Sequence, residues 1–121
     1  MITRYLLDTN AVIYLVNGRL ALPLPDGKHS ISIITEIELL SFPGLSVEEE
    51  KRIHDLLLVL DRVQITDNVR DQAIWLHRKN RLKLPDAVIA ASAMILQATL
   101  LTNDKSFAAI EGLHCESLQL K

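Results

Sequence analysis

With 121 residues, 49% of them hydrophobic, the chain has the length of one ordinary domain and enough apolar mass for a core. Its net charge of -2 denies it the overall positive field of a strong non-specific nucleic-acid binder, so any nucleic-acid contact must be local. The lone Cys115 excludes an internal disulfide, four scattered histidines exclude a zinc motif, and no apolar run reaches the roughly 20 residues that span a bilayer.

The N-terminal run MITRYLLDTN is too short in apolar residues for a secretory signal, so the expectation is a cytoplasmic protein with no membrane partner. Low-complexity tracts and internal repeats are lacking, which predicts a single domain over residues 1–121.

In chain order, residues 4–7 read as a buried strand that runs into the turn Asp8-Thr9-Asn10, followed by a short helix over 11–16. A loop over 17–28 carries Asn17-Gly18 and Asp26-Gly27; residues 29–34 predict a second strand and 35–42 a helix ended by Pro43-Gly44. Ser46 with Glu49 makes a capping box, and Ile53, Leu56, Leu57 and Leu60 then recur at helical spacing. Residues 63–66 predict a strand, and 67–81 a helix with Val69, Ala73 and Leu76 inward. The segment 85–98 predicts a helix apolar on nearly every side, hence buried between layers. A strand over 99–102, a short helix over 105–111 and an edge strand over 117–120 complete the pattern. Short apolar strands alternating with helices predict an α/β/α sandwich with a mainly parallel sheet, whose ligands bind beyond the carboxyl ends of the strands.

Acidic residues gather where that rule points. Asp8 and Asp104 follow predicted strands, Asp86 opens the buried helix, and Glu36 or Glu38 lies in the helix after the second strand. Such hard oxygen groups suit Mg²⁺ or Mn²⁺. Each acid also has a structural reading as a cap or turn former. Helical geometry leaves both glutamates open, because they flank the apolar stripe of Ile33, Ile34, Ile37 and Leu40. Near Asp86, His77, Arg78, Lys79, Arg81 and Lys83 form a basic cluster, either a phosphate-binding patch or a solvated helix end.

The strings LLDTN at 6–10, SIITEIELL at 32–40, LPDAVIAASA at 84–93 and TNDKSF at 102–107 resemble, in order and spacing, the acidic motifs of PIN-domain nucleases of the VapC toxin type. The resemblance implies an acidic metal site of Asp8, Glu38, Asp86 and Asp104, supported by Asn10 and Thr102, with Glu36 outside it or behind it. It further implies Mg²⁺- or Mn²⁺-dependent endonucleolytic cleavage of RNA, with Arg78, Lys79, Arg81 and Lys83 as possible RNA contacts. Expected partners are an RNA substrate, a small antitoxin protein covering the acidic cleft, and a second copy in a homodimer. Leu20, Leu22 and Leu24 alternate in the loop and are candidates to face that copy.

Rival readings are weaker. A phosphoacceptor receiver domain needs an acidic pair after its first strand, and Asp8 has no acidic neighbour. A haloacid-dehalogenase-type phosphatase needs Asp-x-Asp where this chain has Asp8-Thr9-Asn10. The alternative from another class is a non-catalytic RNA- or protein-binding module that retains the fold.

Overall fold

Successive side chains of a strand point to opposite faces of a sheet, so the two leucines ending β1 (Arg4–Leu7) serve two different cores. In the computed structural model, which describes residues 2–121, Leu6 packs with Val69, Ala73, Leu76 and the alanines of residues 87–93, while Leu7 packs with Ala11, Val12, Ile53 and Leu57. Leu100 and Leu101 of β4 (Thr99–Leu101) divide between the same two clusters.

The other elements are α1 (Thr9–Val16), β2 (Lys28–Ser32), α2 (Ile33–Leu40), α3 (Val47–Leu57), β3 (Asp61–Val63), α4 (Asp67–Asn80), α5 (Leu84–Leu96) and β5 (Cys115–Glu116). All five strands are parallel, in the order β3-β2-β1-β4-β5. Helices α4 and α5 cover one face and α1 with α3 the other, which is the predicted α/β/α sandwich. From β1 the chain builds β2 and β3 to one side, then returns to build β4 and β5 on the other. The order therefore reverses between β1 and β4, where the carboxyl ends of the strands leave a crevice.

Helix α5 has seven consecutive buried residues, Ala87 to Ala93, which explains why no polar face was visible in its sequence. The capping box before α3 forms as expected: Glu49 N–H donates to Ser46 Oγ at 3.1 Å and Ser46 N–H to Glu49 Oε1 at 3.3 Å.

Several expected boundaries shift for local reasons. Helix α2 starts at Ile33, two residues early, because the Ser32 hydroxyl accepts from Ile34 N–H at 3.1 Å and caps it there. Strand β3 occupies 61–63 instead of 63–66, since Thr66 is drawn into capping α4 through Val69 N–H at 3.3 Å. The last strand is Cys115–Glu116 and not 117–120; its carbonyls at His114 and Glu116 accept from Leu100 and Thr102 at 2.8 and 3.0 Å. The short helix expected over 105–111 is a single 3₁₀ turn at Lys105–Phe107.

The loop leucines do not form one outward face. Leu20 bridges to Leu120, Leu24 packs against the second core cluster, and Leu22 alone is among the exposed large hydrophobics. Gly27 lets this loop rejoin the sheet: a Cβ there would collide with the Thr3 carbonyl oxygen and crowd the Tyr5 ring. Among the described residues no helix is long and apolar enough to cross a membrane.

Candidate active site

The crevice between β1 and β4 collects the acids. Asp8 ends β1 and caps α1, Asp104 follows β4 and caps the 3₁₀ turn, Asp86 stands in the first turn of α5, and Glu38 lies on α2. Asp8 is only 4% exposed and hydrogen-bonded once at each carboxylate oxygen. Its Oδ1 accepts from Ala11 N–H at 2.7 Å and its Oδ2 from the Thr102 hydroxyl at 2.5 Å. The same hydroxyl oxygen accepts from Asp104 N–H at 3.0 Å, so buried Thr102 links the two aspartates. Asp104 in turn accepts from Ser106 N–H at 2.9 Å, leaving its other oxygen toward solvent.

The glutamate ambiguity resolves on the buried side of α2. That face is Thr35 and Leu39, not the expected stripe through Ile37, which is 54% exposed. Glu38 sits three residues from Thr35 and shares its side. The Thr9 hydroxyl donates to Glu38 Oε1 at 2.6 Å and lies 3.1 Å from the Thr35 hydroxyl. An ionised carboxylate can only accept, so Thr9 spends its one proton on Glu38 and must accept from Thr35. The chain of donors runs Thr35 to Thr9 to Glu38. Glu36 instead pairs with Arg62 of β3 at 3.2 Å, away from the acids.

The electrostatics show that these acids share one place. Burial raises the Asp8 carboxyl above its ordinary value against the opposing hydrogen bonds from Thr102 and Ala11, and the charges of Asp104 and Glu38 raise it further. Burial likewise raises Asp86, followed by repulsion from Asp104 and Glu38; Lys83 opposes, and Asp8 adds to the rise. Among the described residues, however, no three carboxylate, imidazole or thiol groups stand close enough to form a ready-made coordination shell. The donor set fits a hard cation that keeps several waters, rather than one enclosed by protein ligands.

Other expected residues are placed less centrally. Asn10 is exposed, and its side chain makes no hydrogen bond among the described residues; Thr9, whose hydroxyl reaches Glu38, was not singled out in the sequence. Arg78, Lys79, Arg81 and Lys83 are all exposed around the end of α4, and Lys83 is the one near enough to Asp86 to affect its ionisation. His77 is committed locally: its Nδ1–H donates to the Leu82 carbonyl at 2.7 Å. An apolar groove of about 550 Å³ leaves the acids at Thr9 and Glu38 and runs over Ile13 and Leu39 to Phe42, Leu45 and Ile53.

The sequence pattern of the PIN domain matches residues 5–113. No curated protein matches the chain. Solved structures do: a chain of a toxin–antitoxin complex from Klebsiella pneumoniae is 30% identical, with TM-score 0.75 over 90% of this chain and 94% of that one. A chain of VapBC-1 from nontypeable Haemophilus influenzae is 25% identical, TM-score 0.75, over 95% and 98%. A chain of VapBC2 from Rickettsia felis, bound to a DNA fragment from its promoter, shares the fold at TM-score 0.78 and 20% identity, over 95% and 98%. The match to the PIN pattern spans nearly the whole chain, and the parallel sheet and its acidic rim agree with it: the chain belongs to the PIN domain family.

Proposed function

We propose that this protein is a metal-dependent endoribonuclease and the toxin of a toxin–antitoxin pair, working in the cytoplasm. One observation carries the reading: four acids from separate elements gather at the strand-order reversal, where burial first and the charges of their neighbours after it raise Asp8 and Asp86. Unneutralised charge of this kind destabilises the fold and is relieved by a cation. The partnership reading draws on the Klebsiella structure, a toxin–antitoxin complex, and on the Haemophilus VapBC-1 structure.

In this reading Asp8, Glu38, Asp86 and Asp104 hold Mg²⁺ or Mn²⁺. The chemistry such an ion supplies when bound is a water activated for attack on a phosphodiester and compensation of the charge that develops. The chain's own groups keep the acids in place. Thr102 and the Ala11 amide fix both oxygens of Asp8, each with a lone pair to spare, and the Thr35–Thr9 pair aims one oxygen of Glu38. The basic residues Arg78, Lys79, Arg81 and Lys83 bind flanking RNA phosphates, and a second copy completes a homodimer. A small antitoxin lays apolar side chains into the groove from Ile13 to Phe42 and presents a cation to Glu38 at its acidic end.

The absence of a ready-made coordination shell among the described residues favours the other reading, a non-catalytic RNA- or protein-binding module with this fold. The two part in one experiment: incubation with total RNA in Mg²⁺ or Mn²⁺, then mapping of new RNA ends. Discrete new ends that vanish with Asp86→Asn support the nuclease. Intact RNA in either metal rejects it.

A further inference from the structure

Thr102 and Asp104, both part of the rim, flank Asn103, whose side chain bonds elsewhere. Its Oδ1 accepts from the Leu118 N–H at 2.7 Å, and its Nδ2 donates to the Leu118 carbonyl at 3.0 Å. A primary amide presents one acceptor beside one donor, so it can satisfy both backbone groups of a single residue as a neighbouring strand would. The ladder between β4 and β5 ends just before this point, where Thr102 N–H donates to the Glu116 carbonyl at 3.0 Å. Asn103 thus carries the pairing one step further with its side chain.

The segment it grips is tied down on its far side as well. Leu118 packs against the cluster of Leu7, Ala11 and Val12. The Gln119 carbonyl accepts from Ala21 N–H at 2.9 Å, Leu20 bridges to Leu120, and Lys121 N–H donates to the Arg19 carbonyl at 2.8 Å. Arg19 N–H in turn donates at 2.9 Å to the Tyr14 carbonyl in the last turn of α1, the helix that Asp8 caps. Residues 117–121 therefore form a strap between the end of β4 and the end of α1.

At its β4 end the strap meets the turn on which the rim depends. The Thr102 hydroxyl donates to Asp8 and accepts from Asp104 N–H at 3.0 Å. With two soft dihedrals per residue, a turn of three residues loses much of its freedom once its middle side chain is pinned at both ends of an amide. Both Asn103 bonds are exposed, so water competes for them and they contribute little to stability. Their effect on where Thr102 and Asp104 sit is not reduced in the same way, because groups that orient metal ligands govern affinity through position.

We infer that Asn103 is a positioning residue for the acidic rim: by gripping Leu118 of the C-terminal strap, it sets the turn that presents Asp104 and aims the Thr102 hydroxyl at Asp8. Its consequence for metal rests on the divalent-cation reading of the four acids. The positioning itself does not.

The test uses the full chain as wild type, Asn103→Leu, Asn103→Ser and the core variant Leu76→Ala. Leucine nearly keeps the size of asparagine and removes both polar groups; serine stays polar but is too short to reach both partners. Amide hydrogen exchange without metal is followed by NMR, and Mn²⁺ binding by calorimetry. In both Asn103 variants the amides of Leu118 and Asp104 should exchange several-fold faster, while those of α4 keep their protection and report an intact fold. The Mn²⁺ dissociation constant should rise at least about tenfold, with the melting temperature in chelator lowered by no more than a few degrees. Leu76→Ala should lose more stability and keep the wild-type affinity. The inference is overturned if Leu118 is released and Asp104 keeps its protection, or if Mn²⁺ affinity falls no further than in Leu76→Ala. A wild type that takes up no Mn²⁺ breaks the cation reading instead; the Asp104 amide then decides the positioning, faster exchange upholding it and unchanged exchange overturning it.

Discussion

Residues 86 and 87 are neighbours on one helix, yet they belong to regions built on opposite rules. From Ala87 inward, the core under α4 and α5 is small and large apolar groups, and the polar side chain α5 buries there, Ser92, donates its hydroxyl to the Val88 carbonyl at 2.7 Å. From Asp86 outward, the rim is charge at every depth, from buried Asp8 through half-buried Asp86 and Glu38 to exposed Asp104. The core lowers the free energy of the fold by burial; the rim raises it by desolvation and repulsion. A family of substitutions that separates stability from activity should therefore divide at this boundary.

The largest effect expected is on chemistry. Asp86→Asn keeps the side chain's shape and removes one charge, and Asp86 makes no hydrogen bond among the described residues that the change would break. RNA cleavage should fall by orders of magnitude while the melting temperature without metal holds or rises. An equal loss of stability would erase the contrast between rim and core. Asp8→Asn is less clean, since an amide nitrogen cannot accept from the Thr102 hydroxyl as Oδ2 does.

On the core side, Leu76→Ala should cost about 2–5 kcal/mol in denaturant unfolding, because Leu76 is fully buried between α4, α5 and the sheet. Its activity at low temperature, where the variant is folded, should remain close to that of the wild type. Smaller effects probe the rim's supports. Thr35→Val removes the donor to Thr9 and should destabilise by about 1 kcal/mol. It should weaken Mn²⁺ binding more than a distant core change of equal cost, a difference visible by calorimetry. Replacing Arg78 and Arg81 with Gln should flatten the salt dependence of RNA binding by about 0.7 per lost phosphate contact on a log–log plot, and leave Mn²⁺ affinity unchanged.

The smallest effect is in pH. Asp8 and Asp86 have folded-state values above the ordinary 3.8, so the protonated carboxyls are the ones the fold prefers. Their contribution is present below the unfolded value and is lost as pH rises through the folded values. In chelator, stability from this source should decline across that window as pH increases, and Asp86→Asn should show a shallower decline in urea titrations.

The core was legible from the sequence because burial and periodicity agree there: residues 4–7, the capping box at Ser46 and Glu49, and the all-apolar α5 each have one sensible reading. Strand β3 was misplaced because an exposed strand beginning Asp-Arg has no alternation to see. The stripe on α2 was misjudged because Ile37 faces outward while the hydroxyl of Thr35 is buried to orient Thr9, an exchange that hydrophobicity cannot register. For the same reason Thr9, whose hydroxyl reaches Glu38, passed unnoticed. The acids themselves stood out by order and spacing; what holds Glu38 is the Thr9 hydroxyl, 29 residues away, and what holds Asp8 is in part Thr102, 94 residues away.

The central claim is that the four rim acids act together as a divalent-cation site. Thermal unfolding with increasing Mn²⁺ tests it without any substrate. The account predicts saturable stabilisation of the wild type, about 2.7 kcal/mol at one hundred times the dissociation constant, that disappears in Asp86→Asn and persists in Glu36→Gln. A wild type indifferent to Mn²⁺, or a stabilisation that survives Asp86→Asn undiminished, would contradict it.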